Sequence, residues 1–138
     1  RDHSALTLFL IDLDRFKALN DRAGHESGDE ALRLVAGFLR AAGRSTDVVG
    51  RWGGDEFVLL CPGLDGAGAE KFADRLLQDF AALPQPWEPR VGLSIGYCAV
   101  SAEATQATTP AQLLAAADAA LYDAKAAGRG TARSRNLL

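Results

Sequence analysis

Asp12 and Asp14 end an apolar run that begins at Ala5, and Asp55 and Glu56 follow directly on the pair Gly53-Gly54. A strand end and a neighbouring hairpin can bring such carboxylates together over one sheet edge. Gathered carboxylates repel one another unless cations neutralise them. Hard divalent ions such as Mg²⁺ take carboxylate oxygens as ligands and complete their shell with phosphates. The plainer alternative is that Asp14 caps a helix while Asp55 and Glu56 merely flank a turn. Lys125 and Arg129 stand four apart at the end of the last helical pattern, on one face. There they either hold an anion or complement the helix dipole. Arg44-Ser45-Thr46-Asp47 forms an R-x-x-D tetrad ahead of the glycine pair, which alone reads as a solvated turn. Cys61 and Cys98 have no CxxC neighbour, and His3 and His25 are isolated. That excludes a zinc cage and favours two reduced core thiols.

The elements that must position these residues follow from periodicity. Residues 5–11 predict a strand buried on both faces, ending at Asp12. A short helix is expected from Arg15 to about Arg22, capped by Asp14 and stopped near Gly24. Ser27-Gly28-Asp29-Glu30 reads as a capping box opening a second helix, with Leu32, Val35, Phe38, Leu39 and Ala42 at helical spacing. Strands over 47–52 and 55–61 around Gly53-Gly54 predict a hairpin whose glycines supply positive φ. A third helix carries the stripe Ala69, Phe72, Ala73, Leu76, Leu77 and Phe80, and the proline-rich stretch 83–89 is a loop. Residues 91–100 predict a strand that is thin on one face, at Gly92, Ser94, Gly96 and Cys98. Thr109-Pro110-Ala111-Gln112 is a second capping box, opening a helix that stops at Gly128, with a short final strand to follow. The order β-α-α-β-β-α-β-α points to an α+β fold, with helices flanking a central, mostly antiparallel sheet.

The 138 residues are 48% hydrophobic and 24% charged, enough for one core and too few for two ordinary domains. Residues 1–138 are therefore expected to form a single domain. Because the chain begins almost on its first strand, excision from a longer multidomain protein is expected. The net charge of −3 argues against a nucleic-acid surface. No apolar run approaches the roughly 20 residues that cross a bilayer, and Arg1-Asp2-His3 leads straight into a strand without a signal peptide. A cytoplasmic domain without membrane contact of its own is the expectation. The full-length protein could still be attached through another segment.

Arg51-Trp52-Gly53-Gly54-Asp55-Glu56-Phe57 contains the Gly-Gly-Asp-Glu-Phe string of the GGDEF family of diguanylate cyclases, and the chain resembles that family over nearly its whole length. The matching segments are Leu10-Ile11-Asp12-Leu13-Asp14, Phe16-Lys17, Asn20-Asp21, Gly24-His25, Gly28-Asp29, Ser94-Ile95-Gly96, Ala117-Asp118, Leu121-Tyr122, Ala124-Lys125 and Gly128-Arg129. The resemblance implies a ferredoxin-like fold related to nucleotide cyclases and the polymerase palm. It implies metal-dependent condensation of two GTP into cyclic di-GMP, with two pyrophosphates released, by a homodimer of half-sites. Asp12, Asp55 and the Leu13 carbonyl would hold Mg²⁺ or Mn²⁺, and Glu56 would assist at the metal or the nucleophile. Asn20 and Asp29 would read guanine. Lys17, Lys125 and Arg129 would hold the triphosphate, with Phe16, Gly53 and Gly54 beside the nucleotide. Arg44 and Asp47 would form a product-binding inhibitory site, joined by Arg75 from another protomer. Departures from the family pattern are Trp52 for tyrosine, Arg15 for an apolar residue, Gly130 for asparagine, and the absence of the usual leading Leu-Thr-Gly-Leu and Asn-Arg elements. Two other readings are a non-catalytic domain of this family that senses GTP or cyclic di-GMP, and a polymerase fragment. The retained Asp12, Asp55, Glu56, Lys125 and Arg129 oppose the first, and the acidic charge opposes the second.

Overall fold

A computed structural model describes residues 4–137. Arg1-Asp2-His3, and with them the expected lead into the first strand, lie outside the described residues. The elements are β1 (Leu6–Asp14), α1 (Phe16–Ala23), α2 (His25–Ala42), β2 (Val48–Arg51), β3 (Glu56–Pro62), α3 (Gly66–Ala81), β4 (Gly92–Val100), α4 (Ala102–Thr105), α5 (Pro110–Ala126) and β5 (Ala132–Ser134). They form a five-stranded sheet in the order β2-β3-β1-β4-β5, antiparallel throughout except for the parallel β4–β5 edge. The expected α+β architecture is present, with the final strand included.

Central β1 is buried on both faces because both faces carry helices. Phe9, Ile11 and Leu13 point into a core with Leu19 of α1, Val35 and Leu39 of α2, and Phe72 and Leu76 of α3. Leu8 and Leu10 point the other way, against Leu113, Ala117 and Leu121 of α5. Alternation along the strand continues the second face to Asp12 and Asp14. The thin face of β4 has its purpose here. A Cβ on Gly96 would stand 2.6 Å from the Ala117 carbonyl oxygen and closer still to Leu121 backbone. Glycine lets α5 lie directly on the strand, which carries the C-terminal turn of that helix to the end of β1. The two thiols sit in opposite cores, Cys61 beneath α2–α3 and Cys98 beneath α5, both free and buried. Burial first, then the neighbouring Asp47 charge, pushes the Cys61 thiol up to about 12.

Several local expectations are corrected. β1 runs on through Asp12 to Asp14, so both carboxylates belong to the strand. Asp14 does not cap α1; Arg15 occupies that position at φ 66 without a side-chain cap. Asp14 instead accepts hydrogen bonds from Ser94 and Gly130, which outcompete a local cap. The second helix begins at His25, directly after Gly24 at φ 94, so Ser27 lies inside it and forms no capping box. The hairpin turn comprises residues 52–55, and neither Gly53 nor Gly54 has positive φ. Its closure comes from the Trp52 N–H on the Glu56 carbonyl (2.7 Å) and from Arg51, whose Nε and Nη2 donate to the Gly53 and Gly54 carbonyls at 3.1 and 2.6 Å. α4 was not expected, since four residues are too few to display a helical period. The Thr109–Gln112 capping box forms as expected. Among the described residues no helix is long and apolar enough to cross a membrane.

Candidate active site

Register places Asp12 opposite Glu56 on β3 and opposite Ser94 on β4. The Leu13 N–H donates to the Asp55 carbonyl oxygen at 3.0 Å, pinning the last turn residue to β1. From above, α5 delivers Lys125, whose Nζ forms an ion pair with Asp12 Oδ2. Thus Asp12, Asp55, Glu56 and Lys125 meet at one sheet end, although they are spread over more than a hundred residues of sequence.

The electrostatics of this cluster are unbalanced. Burial and then the charge of Asp12 raise the Asp55 carboxyl above its ordinary range. Glu56 is raised likewise, by burial and then Asp12, with Lys125 partly offsetting. Burial opposes the charge on Lys125, yet its bond to Asp12 and the nearby carboxylates raise it on balance. Three carboxylates thus share one ammonium. Asp12 is only 7% exposed, and its Oδ1 is buried without a hydrogen-bond partner. A buried carboxylate oxygen without a partner is costly. A divalent cation would satisfy it and relieve the mutual repulsion, so these residues fit one. Among the described residues no three His, Cys, Asp or Glu side chains form a complete metal cage. Mg²⁺ does not require one, since it binds through one or two carboxylates with phosphates and water completing its shell.

The expected nucleotide contacts are distributed unevenly. Arg129 is exposed and lies beyond the end of α5 at φ 66, after Gly128 at φ 111, so it shares no helical face with Lys125 as the spacing suggested. Its N–H donates to the Ala124 carbonyl at 3.1 Å, a left-handed helix ending. Lys17 is 90% exposed and pairs with Asp21 at 3.0 Å. Phe16 packs its ring partly into the core. Asn20 stands over Gly28, where a Cβ would come within 2.9 Å of Asn20 Cγ, so glycine makes room for the amide. Asp29 is exposed and lines a cavity of about 340 Å³ with Leu32, Arg33, Arg51 and Phe57. A Cβ on Gly53 or Gly54 would meet nothing within 4 Å, leaving open space over the turn.

A second cavity of about 300 Å³ gathers Arg44, Asp47, Cys61, Lys71, Phe72 and Arg75. The Arg44 N–H donates to Asp47 Oδ2 at 2.8 Å, while Nη2 reaches Asp47 Oδ1 at 3.3 Å and the Pro62 carbonyl at 2.6 Å. The Arg75 guanidinium sits 5.5 Å from the Phe72 ring centroid, a cation–π distance. Arg75 therefore lines the same cavity as Arg44 and Asp47 within one chain. The sequence reading missed Lys71, a third cation here, and the role of Arg51 as a clamp on the turn. Helical spacing could have found Lys71, since it lies one turn before Arg75 on α3.

A mostly antiparallel sheet thus gathers carboxylates at one end, beside an open glycine turn. Residues 1–131 match the family model described as "Diguanylate cyclase, GGDEF domain", and the chain belongs to that family. The probable diguanylate cyclase DgcE of Escherichia coli is 41% identical over 93% of this chain and 12% of its own length. Diguanylate cyclase TpbB of Pseudomonas aeruginosa is 41% identical over 96% of this chain and 31% of its own. The chain thus spans under a third of these curated relatives. A solved microbial GGDEF domain, described for its interaction with cyclic di-GMP, is 28% identical with a TM-score of 0.76, covering 99% of this chain and 81% of that one.

Proposed function

We propose that the domain is a catalytically competent diguanylate cyclase, condensing two GTP into cyclic di-GMP and two pyrophosphates. The observation that carries this reading is the buried, unpartnered Oδ1 of Asp12, a residue that pairs across the sheet with Glu56, acts on Asp55 and is ion-paired through Oδ2 to Lys125. A sensor that had lost catalysis would have no reason to maintain so costly a cluster. Asp12, Asp55 and the Leu13 carbonyl would hold Mg²⁺ or Mn²⁺. The ion, when bound, neutralises phosphate charge and lowers the barrier to ionising the attacking hydroxyl. In each half-reaction the 3′-oxygen of one GTP bonds to the α-phosphorus of the other, the Pα–O–Pβ bond breaks, and pyrophosphate leaves. Glu56, whose carboxyl burial and then the Asp12 charge raise above its ordinary range, can accept the hydroxyl proton or support the cation. Asn20 and Asp29 would answer the guanine edge, the carboxylate accepting from its N1 and N2 donors.

Lys125 and Arg129 would hold the triphosphate. The Lys17–Asp21 pair is exposed and weak, so Lys17 can swing to join them. Each domain supplies one GTP site, so two domains must meet for reaction: the catalytic unit is a homodimer. Product would bind the cavity of Arg44, Asp47 and Arg75 and inhibit, since its two phosphates and guanine edges suit arginine. The domain would act in the cytoplasm as part of a longer protein. No nucleic-acid partner is proposed. Incubation with GTP and Mg²⁺ at several enzyme concentrations, followed by chromatography, tests this reading. Cyclic di-GMP should form with specific activity rising with concentration. GTP binding without any product would favour the sensor reading.

A further inference from the structure

Two residues beyond Asp12, Asp14 is as deeply buried, at 7% exposed, yet it has no part in the chemistry above. Its Oδ1 accepts from Ser94 Oγ at 2.7 Å, and its Oδ2 accepts from the Gly130 N–H at 3.0 Å. The same N–H also reaches Ser94 Oγ at 3.1 Å, and Ser94 is itself fully buried. Both oxygens of Asp14 are therefore partnered, whereas Asp12 leaves its Oδ1 without a partner. The three groups belong to β1, β4 and the segment joining α5 to β5.

That segment holds an unusual backbone. Arg129 and Gly130 are consecutive left-handed residues, at φ 66 and 63. An arginine stays in that region only where its surroundings fix it. The fixing bonds lie on either side: the Arg129 N–H donates to the Ala124 carbonyl at 3.1 Å, and the Ile95 N–H donates to the Thr131 carbonyl at 2.9 Å. Between them, the Gly130 N–H is held by side chains alone, those of Asp14 and Ser94. Arg129 itself is exposed.

We propose that Asp14 is a positioning residue for phosphate recognition. Through Ser94 and the Gly130 amide it holds Arg129 in its left-handed conformation, which directs the guanidinium toward the triphosphate. The strand that presents the metal-facing Asp12 thereby also sets the phosphate-facing arginine, two residues on. This inference rests on Arg129 being a triphosphate contact. If Asp14 only fastened the β5 edge, its loss would weaken folding without acting through Arg129.

The test is the affinity of the full chain for 3′-deoxy-GTP with Mg²⁺, a probe that binds without condensing, measured by calorimetry. Asp14→Ala should weaken binding about tenfold, the loss of a charge-assisted hydrogen bond. Asp14→Asn keeps one acceptor for the Gly130 N–H and should weaken it by roughly threefold at most. In an Arg129→Ala background, Asp14→Ala should cause no further loss, since it acts through that side chain. An equal loss with and without Arg129, or no loss while Arg129→Ala weakens binding, overturns the proposal. Unchanged affinity in Arg129→Ala overturns the phosphate reading instead. The clamp is then decided by amide hydrogen exchange at Gly130, which quickens in Asp14→Ala if the carboxylate holds that N–H and stays at the wild-type rate if it does not. Should Asp14→Ala fail to fold, Ser94→Ala removes a single hydroxyl and carries the same comparisons.

Discussion

Gly96→Ala should damage stability and catalysis together, because the added methyl group meets α5 backbone lying directly on β4. The new Cβ would stand 2.6 Å from the Ala117 carbonyl oxygen, where ordinary contact begins at 3.4 Å. Leu121 backbone stands closer still, so the backbone of α5 must retreat by well over the 0.8 Å that the carbonyl alone would require, and no flexible side chain can yield in its place. Overpacking of this kind costs about 1–3 kcal/mol, with backbone clashes at the upper end. For a domain of this size that corresponds to a fall in Tm of roughly 3–10 °C. Retreat of the helix also draws Lys125 away from Asp12, and displacements near 1 Å can cost about a hundredfold in rate. Calorimetric unfolding and steady-state turnover measured on one preparation check both. Gly37→Ala is the control, since Gly37 is exposed within α2 and a Cβ there meets nothing within 4 Å. It should stabilise by about 0.5–1 kcal/mol. A Gly96→Ala protein with wild-type Tm would refute the close approach of α5 as the reason for glycine.

Gly28→Ala should displace the Asn20 amide and raise the KM for GTP about tenfold with little effect on kcat; unchanged KM would remove Asn20 from the guanine site. Asp55 is raised by burial and by Asp12, so its folded carboxyl holds a proton to higher pH than the unfolded one. Stability from this group is present below the unfolded value of 3.8 and is lost as pH rises through the folded value. In metal-free buffer at pH 7, Asp55→Asn should therefore raise Tm slightly, with the gain vanishing near pH 3; a lower Tm at pH 7 contradicts the repulsion. Arg44→Ala removes a guanidinium able to pair with guanine O6 and N7, worth about 1–3 kcal/mol, so cyclic di-GMP affinity should fall about tenfold or more. Calorimetry showing equal affinities would return the R-x-x-D tetrad to a solvated turn.

The sheet, its flanking helices and the carboxylate cluster were legible because each leaves a pattern in sequence. The doubly buried strand reads as an unbroken apolar run, the Thr109–Gln112 box as a cap, and Asp55-Glu56 as part of a familiar string. What escaped was set by partners far away along the chain. Asp14 looked like a helix cap because its only visible neighbours are local, whereas its bonds run to Ser94 and Gly130. That Arg75 of α3 lies beside Arg44 within one chain leaves no mark in sequence; the shared cavity shows it. Arg129 was read as helical from its four-residue spacing to Lys125. The intervening Gly128 marked the end, but not that an arginine would follow in a left-handed turn. The hairpin was expected from Gly-Gly, yet the turn closes through the Arg51 guanidinium, and its glycines leave space open instead of supplying positive φ.

Asp12 is proposed to hold the catalytic cation at a GTP site. The most direct measurement is chromatography of products from GTP and Mg²⁺, comparing wild type with Asp12→Asn at matched circular dichroism. Wild type should make cyclic di-GMP from GTP and almost nothing from ATP. Asp12→Asn should fold normally and form product at least a hundredfold more slowly, an expected loss of about 2.7 kcal/mol or more of transition-state stabilisation. Equal product formation by the two proteins would contradict the account.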